Sequence, residues 1–327
     1  MARSVLFIGG TGTISWWCAR AALEAGWQTT VLNRGQSTMR PLPKGAQLIR
    51  ADITDDAALD QALSRHRFDV VADFLSFTPD RLERNIELLG DSTDQYIFIS
   101  SASAYQKPVT TWPITESTPL INPYWQYSRD KIACEDTLMR LVRQAGLPGT
   151  IVRPSHTYDA GALVTLGGWT DVARLREGRP VIVHGDGTSL WTLTHAVDFA
   201  YCFTALLGER KTIGGAYHIT GDEVLTWDAI YTELANAAGV RQPRLVHVAS
   251  EVIAQELPDQ AESLLGDKAH SVVFDNSKVR AIAQGFHQTV PWATGARQII
   301  KFHDTHPRFA QRQPHVDQAL DRLAGVS

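Results

Sequence analysis

Cysteine is scarce in this chain: three in 327 residues, Cys18, Cys134 and Cys202, odd in number and far apart. That spacing excludes a disulfide framework. Cys18 and Cys134 fall in expected helices with no neighbouring Cys or His, so buried, reduced thiols and a cytoplasmic protein are expected. A basic surplus is missing too. Lys and Arg number 31 against 35 Asp and Glu, a net charge of −4, which leaves no electrostatic footprint for a nucleic acid. No apolar run reaches the roughly 20 residues of a membrane span. The first residues carry no basic region followed by a long apolar run, so no signal peptide is expected. Internal repeats and low-complexity runs are lacking. His303 and His306 are spaced like a metal pair but have no third ligand near them, and no metal is expected. The apolar and charged fractions, 44% and 20%, are those of an ordinary globular protein, and the length suffices for one large domain or two unequal ones.

Against these absences stands one informative stretch, Val5-Leu6-Phe7-Ile8-Gly9-Gly10-Thr11-Gly12-Thr13-Ile14-Ser15. Four apolar residues read as a buried strand. A glycine-rich turn follows, then an alanine-rich helix from about Trp16 to Ala25. Gly9 permits a tight turn, and Gly12 has no side chain to hold a pyrophosphate away from the backbone. The helix start, with unpaired N–H groups and the positive end of the helix dipole, faces the phosphate charge. Ser15 takes the small position that allows close helix–strand packing. Of Trp16 and Trp17, one is expected in the core and the other at a pocket or an interface.

Further along, strands are expected at Trp27–Leu32, Gln47–Arg50, Asp69–Asp73, Gln95–Ser100 and Gly149–Pro154. They alternate with amphipathic helices at Asp55–Ser64, Asp80–Leu89 and from about Tyr124 to Gln144. Short apolar strands alternating with helices of about ten residues predict an α/β, doubly wound Rossmann sheet, parallel and covered on both faces, with its ligand at the carboxyl ends of the strands. After Pro154 the rhythm becomes irregular. Residues 1–160 are read as the NAD(P)-binding domain, with strands near Val181 and Ala216 returning to it. Residues 161–306 are read as a smaller α+β lobe that caps the sheet, and 307–327 as a tail with an exposed linker and a short helix. At the end of the second strand, where an acidic residue would hold a ribose 2′-hydroxyl, stand Asn33 and Arg34. A guanidinium there can take a 2′-phosphate, which favours NADP over NAD; alternatively Arg34 lies over the adenine, as NAD would also permit.

Tyr127 and Lys131 are four apart on an expected helix and so share a face. An ammonium about 5 Å from the phenol, at an effective dielectric of about 20, is worth roughly 3 kcal/mol, or about 2 pKa units, enough to bring a tyrosine into range for proton transfer near neutral pH. Ser101, at the carboxyl end of the fifth strand, can hydrogen-bond the same substrate oxygen.

Gly9-Gly10-Thr11-Gly12-Thr13-Ile14, Ser101 and Tyr127-x-x-x-Lys131 together resemble the extended short-chain dehydrogenase/reductase superfamily, and more closely its NAD-dependent epimerase/dehydratase branch, from Val5 to about Gly221. The resemblance implies that Tyr127 is the general acid/base, that Lys131 lowers its pKa and binds the nicotinamide ribose, and that Ser101 orients the reacting oxygen. It also implies that Asp52 and Ile53 flank the adenine, that Leu75 lies along the cofactor, and that Pro154 and Ser155 lie near the nicotinamide. A homodimer through the two helices beside the site is a family expectation.

Departures from the family pattern speak to substrate. Sugar-nucleotide dehydratases follow the serine with Asp-Glu; here the residues are Ala102-Ser103. Where the family has an arginine for the substrate diphosphate, this chain has Trp191, whose indole offers a flat face for stacking. Alternatively Trp191 packs inside the lobe and an arginine elsewhere does that work. Ser103, His156, Trp191 and His195 are the candidate substrate contacts, the two histidines as second acid/base groups or as structural hydrogen-bonding residues. The function expected is that of an NAD(P)-dependent epimerase or dehydratase on a hydroxylated ring, sugar- or nucleoside-like and without a diphosphate, through a transient ketone with hydride returned internally. The alternatives are an NADPH-dependent ketoreductase and a non-catalytic cofactor sensor.

Overall fold

A computed structural model describes residues 3–64 and 66–325; the extreme ends of the 1–160 and 307–327 segments lie outside them. The first half alternates as the hydrophobic pattern predicts: β1 (Ser4–Ile8), α1 (Thr13–Glu24), β2 (Gln28–Asn33), β3 (Gln47–Arg50), α2 (Asp56–Leu63), β4 (Val70–Asp73), α3 (Pro79–Leu89), β5 (Gln95–Ile99), α4 (Gln126–Ala145) and β6 (Gly149–Pro154). β7 (His156–Tyr158), α5 (Trp169–Arg176), β8 (Val181–His184), β9 (Leu190–Trp191), β10 (Leu193–His195), α6 (Ala196–Leu206) and β11 (Ala216–Ile219) follow. The chain then runs through β12 (Leu225–Thr226), α7 (Trp227–Ala237), β13 (Leu245–Val248), α8 (Ser250–Glu256), α9 (Pro258–Ser263) and a π-helical turn, Leu264–Lys268, before α10 (Ser277–Ile282), α11 (Trp292–Thr305) and α12 (Pro314–Leu323).

Seven strands form one sheet in the order β11-β6-β5-β4-β1-β2-β3. All of its pairings are parallel. Both faces are covered. α1 buries Ser15, Cys18, Ala19 and Ala22, small residues at helical spacing that let it pack closely on one face together with α6. Leu59, Leu82, Cys134 and Leu138, from α2, α3 and α4, fill the other face. The strand order reverses between β1 and β4, and a crevice opens there at the carboxyl ends of the strands.

One expectation is corrected. The strand at Ala216 returns to the sheet beside β6, but the one at Val181 does not. β8 pairs with β13 in a separate two-stranded sheet, with Val181 and Val183 packed in the lobe against α5 and α7 and Ile182 on the other face against α8 and α12. The segment Ser250–Lys268, unassigned from the sequence, is helical. The lobe has its own core around Trp191, Trp227 and Trp292. All three cysteines are buried and unpaired.

One buried ion pair ties α4 to the sheet. Arg153 of β6 donates from Nε and Nη2 to the two carboxylate oxygens of Glu135, at 2.9 and 2.6 Å, and from Nη1 to the Tyr105 hydroxyl at 3.1 Å. Both side chains are almost fully buried. The start of α4 has no side-chain cap of its own; the Gln126 N–H is accepted instead by Glu262 of α9, at 2.9 Å. The helix that carries Tyr127 and Lys131 is thus held by the sheet on one side and by the lobe on the other.

Candidate active site

Two adjoining cavities lie at the mouth of the sheet. The larger, about 900 Å³, runs from the glycine turn past Arg34 and Asp52 to Tyr127 and Lys131. The smaller, about 340 Å³, lies between the sheet and the lobe. Ile14, Tyr127, Pro154 and Thr157 line both.

The glycine turn is built as its residue types require. Gly10 has φ +74°, and a Cβ there would lie 2.5 Å from Val31 Cγ1, so backbone and space both demand glycine. Over Gly12 a Cβ would meet only the Ser15 hydroxyl, and the approach to the backbone is otherwise open. Ser15 does more than pack: its Oγ accepts the Gly12 N–H at 3.0 Å. Thr13 and Ile14 open α1 and line the large cavity, with N–H groups that by position have no intrahelical acceptor.

Asn33 lines the same cavity, but its side chain is a strut. It donates to the Gly9 carbonyl at 3.1 Å and to Thr11 Oγ1 at 3.2 Å, and accepts the Gly35 N–H at 2.7 Å. Arg34 is exposed, its Nη1 3.8 Å from Asp52 Oδ2. Asp52 accepts from the N–H and hydroxyl of Thr54, bonds that hold its carboxyl below the usual range. Ile53 and Leu75 line the cavity as expected, and Leu75 lies under Gly9. Trp16 and Trp17 reach neither cavity: their indole N–H groups bind Pro41 O and Asp159 Oδ2.

Around the phenol, Lys131 Nζ donates to the carbonyl oxygens of Ser76 and Ile99, both at 2.8 Å, and lies 5.8 Å from the Tyr127 ring centroid. Burial pushes its pKa down to about 8, opposed by the nearby Asp73 carboxylate. The expected lowering of the Tyr127 pKa is reversed. Burial pushes the phenol up; a hydrogen bond from Ser101 works the other way, and the Asp267 carboxylate adds to the rise. The pairwise argument omitted desolvation, which dominates here. Ser101 sits in a relay of hydroxyls: its Oγ is 2.9 Å from Ser103 Oγ, to which Ser128 donates at 2.8 Å. Ser103 is therefore a buried support for Ser101 that borders the smaller cavity.

Ser155 lines the smaller cavity and not the larger, with its Oγ 2.5 Å from Thr194 Oγ1. His156 also lines it. Burial pushes this imidazole down to about 3, and its Nδ1 accepts the Trp191 Nε1–H at 3.1 Å. Trp191 is 2% exposed and packs on Trp227 at 5.3 Å; it borders the cavity but is a core residue of the lobe rather than an open stacking face. His195 is misplaced by the sequence reading. It lies outside both cavities, between Trp17 and Tyr158, with Nδ1 accepting the Val197 N–H at the start of α6. Sequence reasoning missed Asp267 and Lys268, which line the smaller cavity from the π-helical turn. No periodic signal marks them, because the lobe segment that carries them has no strong pattern.

A dinucleotide fits the larger cavity by three observations: the open space over Gly12, the α1 N–H groups, and the buried Ser100 hydroxyl, which borders the cavity with no hydrogen-bond partner among the described residues. No described helix is long and apolar enough to cross a membrane.

Residues 5–220 match the model of the NAD dependent epimerase/dehydratase family. A 2′-dehydrokanamycin reductase of Streptomyces kanamyceticus is 30% identical over 87% of this chain and 80% of its own. A chloroplast stem-loop binding protein of 41 kDa from Arabidopsis thaliana is 27% identical over 75% of this chain and 66% of its own. Among solved structures, a dTDP-glucose 4,6-dehydratase of Streptomyces venezuelae with NAD bound superposes with a TM-score of 0.73, at 19% identity, over 95% of this chain and 99% of that one. With this match across two thirds of its length, on a seven-stranded Rossmann sheet, the chain belongs to the NAD-dependent epimerase/dehydratase family of extended short-chain dehydrogenases/reductases and is an NAD(P)-dependent enzyme.

Proposed function

We propose that the protein reduces a ketone on a hydroxylated ring, sugar- or nucleoside-like and lacking a diphosphate, with NADPH. The observation that carries this reading is the Tyr127 phenol at the junction of the two cavities, held protonated by burial and backed by Ser101 and Lys131. A group that keeps its proton at neutral pH suits donation to a carbonyl oxygen as negative charge develops there. The reduced nicotinamide, when bound, supplies the hydride. Gly9, Gly12, Thr13 and Ile14 would hold the pyrophosphate, Asp52, Ile53 and Leu75 the adenosine side, and Lys131, Pro154 and Thr157 the nicotinamide side. Ser101 hydrogen-bonds the substrate carbonyl and directs it at the phenol. The neutral His156, its Nδ1 engaged by Trp191, acts as a positioning group rather than a base. The net charge of −4 supports a small-molecule ligand rather than RNA.

Internal hydride return, as an epimerase needs, is the second reading, and likeness to the dehydratase supports it. Identifying the nucleotide released from the purified protein separates the two. An empty protein that takes up NADPH and oxidises it with cyclic hydroxyketones supports reduction. Oxidised cofactor held near one per chain, with no net NADPH consumption, supports internal return.

Arg34 reads the 2′-phosphate in this proposal. One charge-assisted contact at an exposed site is worth about 1.5 kcal/mol, so Arg34→Ala is expected to weaken NADPH binding about tenfold. NADH binding should change little. Equal weakening for both cofactors in a fluorescence titration would assign Arg34 to the adenine face instead.

A further inference from the structure

Lys268 has no carboxylate partner among the described ion pairs. Its Nζ makes one long hydrogen bond, 3.3 Å to Ser263 Oγ, and the side chain lines the smaller cavity. The neighbouring Asp267 only partly offsets it, because that carboxylate is also 3.1 Å from the fully buried ammonium of Lys107. Asp267 and Lys268 line the cavity, and two ammonium groups share the one carboxylate, so the uncompensated charge is positive.

The turn that presents Lys268 is fixed from three sides. Asn122 Nδ2 donates to the Gly266 carbonyl at 2.8 Å. Trp227 Nε1 donates to the Lys268 carbonyl at 3.2 Å. A Cβ on Gly266 would lie 2.8 Å from Trp125 Cβ, so the turn is pressed onto the residues that precede α4. Its backbone closes with the Ala269 N–H on the Leu264 carbonyl, the wide spacing of a π-helix, a form often kept at functional sites. An ammonium held at a cavity wall with only a shared counter-ion has lost water and gained little in return; burial lowers its pKa, opposed by the Asp267 carboxylate.

We propose that Lys268 is a specificity-determining residue that binds an acidic group on the substrate, a ring carboxylate or a phosphate monoester. The proposal rests on reading the smaller cavity as the substrate site. A single ammonium matches one acidic group, and it repels a substrate that carries an amine at the same place. Trp191, buried and engaged with His156, leaves this role to the π-helical turn.

Isothermal titration of the whole protein with glucuronate, glucose 1-phosphate, methyl glucoside and glucosamine tests it, without and with NADPH. Failure of NADPH to bind would count against the catalytic reading alone, since the selectivity among the four probes is still read. One acidic probe is expected to bind about tenfold tighter than methyl glucoside, with glucosamine weakest. Preference for glucuronate assigns a carboxylate, and preference for glucose 1-phosphate a phosphate. Lys268→Met should abolish the preference, and Lys268→Arg, which keeps the cation, should restore it and so separates loss of charge from loss of fold. Acidic and neutral probes binding alike, no binding of any probe, or an acidic preference that survives in Lys268→Met overturns the proposal.

Discussion

Tyr127→Phe is expected to lower kcat for NADPH-dependent ketone reduction by about 10²–10⁴-fold. The dissociation constant for NADPH should stay within about twofold, because the change removes one oxygen and keeps the ring that lines the larger cavity. The ring keeps its packing: it lies 4.8 Å from Trp125 and 6.3 Å from Phe77. What is lost is the proton donor. Burial holds the phenol in its neutral form, with the Ser101 hydroxyl opposing that rise, so at neutral pH a proton is available where a carbonyl oxygen would collect charge. Without it, the alkoxide must take its proton from water, a poorer and less well-placed acid. Steady-state NADPH oxidation together with a cofactor titration checks the result. Turnover that survives the substitution would remove Tyr127 from the chemistry. Loss of NADPH binding along with turnover would instead make it a structural residue of the cleft.

Glu135→Ala should destabilise the protein by roughly 3–5 kcal/mol, the cost of leaving a buried charge without its partner. Arg153 loses two charge-assisted bonds and keeps only neutral contacts with the Tyr105 hydroxyl and the Glu116 carbonyl. At about 2–4 °C per kcal/mol for a chain of this order of size, the melting temperature should fall by about 10 °C. Glu135→Gln, which retains one acceptor, should cost less. Because the pair anchors the helix that carries Tyr127 and Lys131, kcat should fall too, but by less than in Tyr127→Phe. A melting temperature within about 2 °C of the wild type in thermal denaturation would show that the pair positions α4 without stabilising it.

Much of the first half of the molecule was legible in advance. β3 and β6 begin and end where the pattern placed them, and the other strands and helices of the sheet differ by only a few residues at their ends. Short-range rules carry that far: alternation for strands, 3.6-residue periodicity for helices, and φ > 0 only where glycine stands. The partner of a strand is another matter. Val181–His184, wholly buried, reads the same whether it joins the large sheet or a small one, and the choice fell to Leu245–Val248, more than sixty residues on. The two candidate histidines were equally plausible by position. β7 and β10 lie side by side, but His195 pairs at the Tyr158 level, two residues further along the ladder than His156, and is carried beneath Trp17 and away from the cavity.

The sequence by itself determined the glycine turn, the shared helical face of Tyr127 and Lys131, and the place of Ser101 at a strand end, because each depends on neighbours within a few residues. Only the tertiary structure decided the sign of the Tyr127 pKa shift, the burial of Trp191, and the ammonium of Lys268 at the cavity wall. Desolvation and charge balance are sums over atoms brought together from across the chain. Spacing along the chain carries no record of which atoms those are.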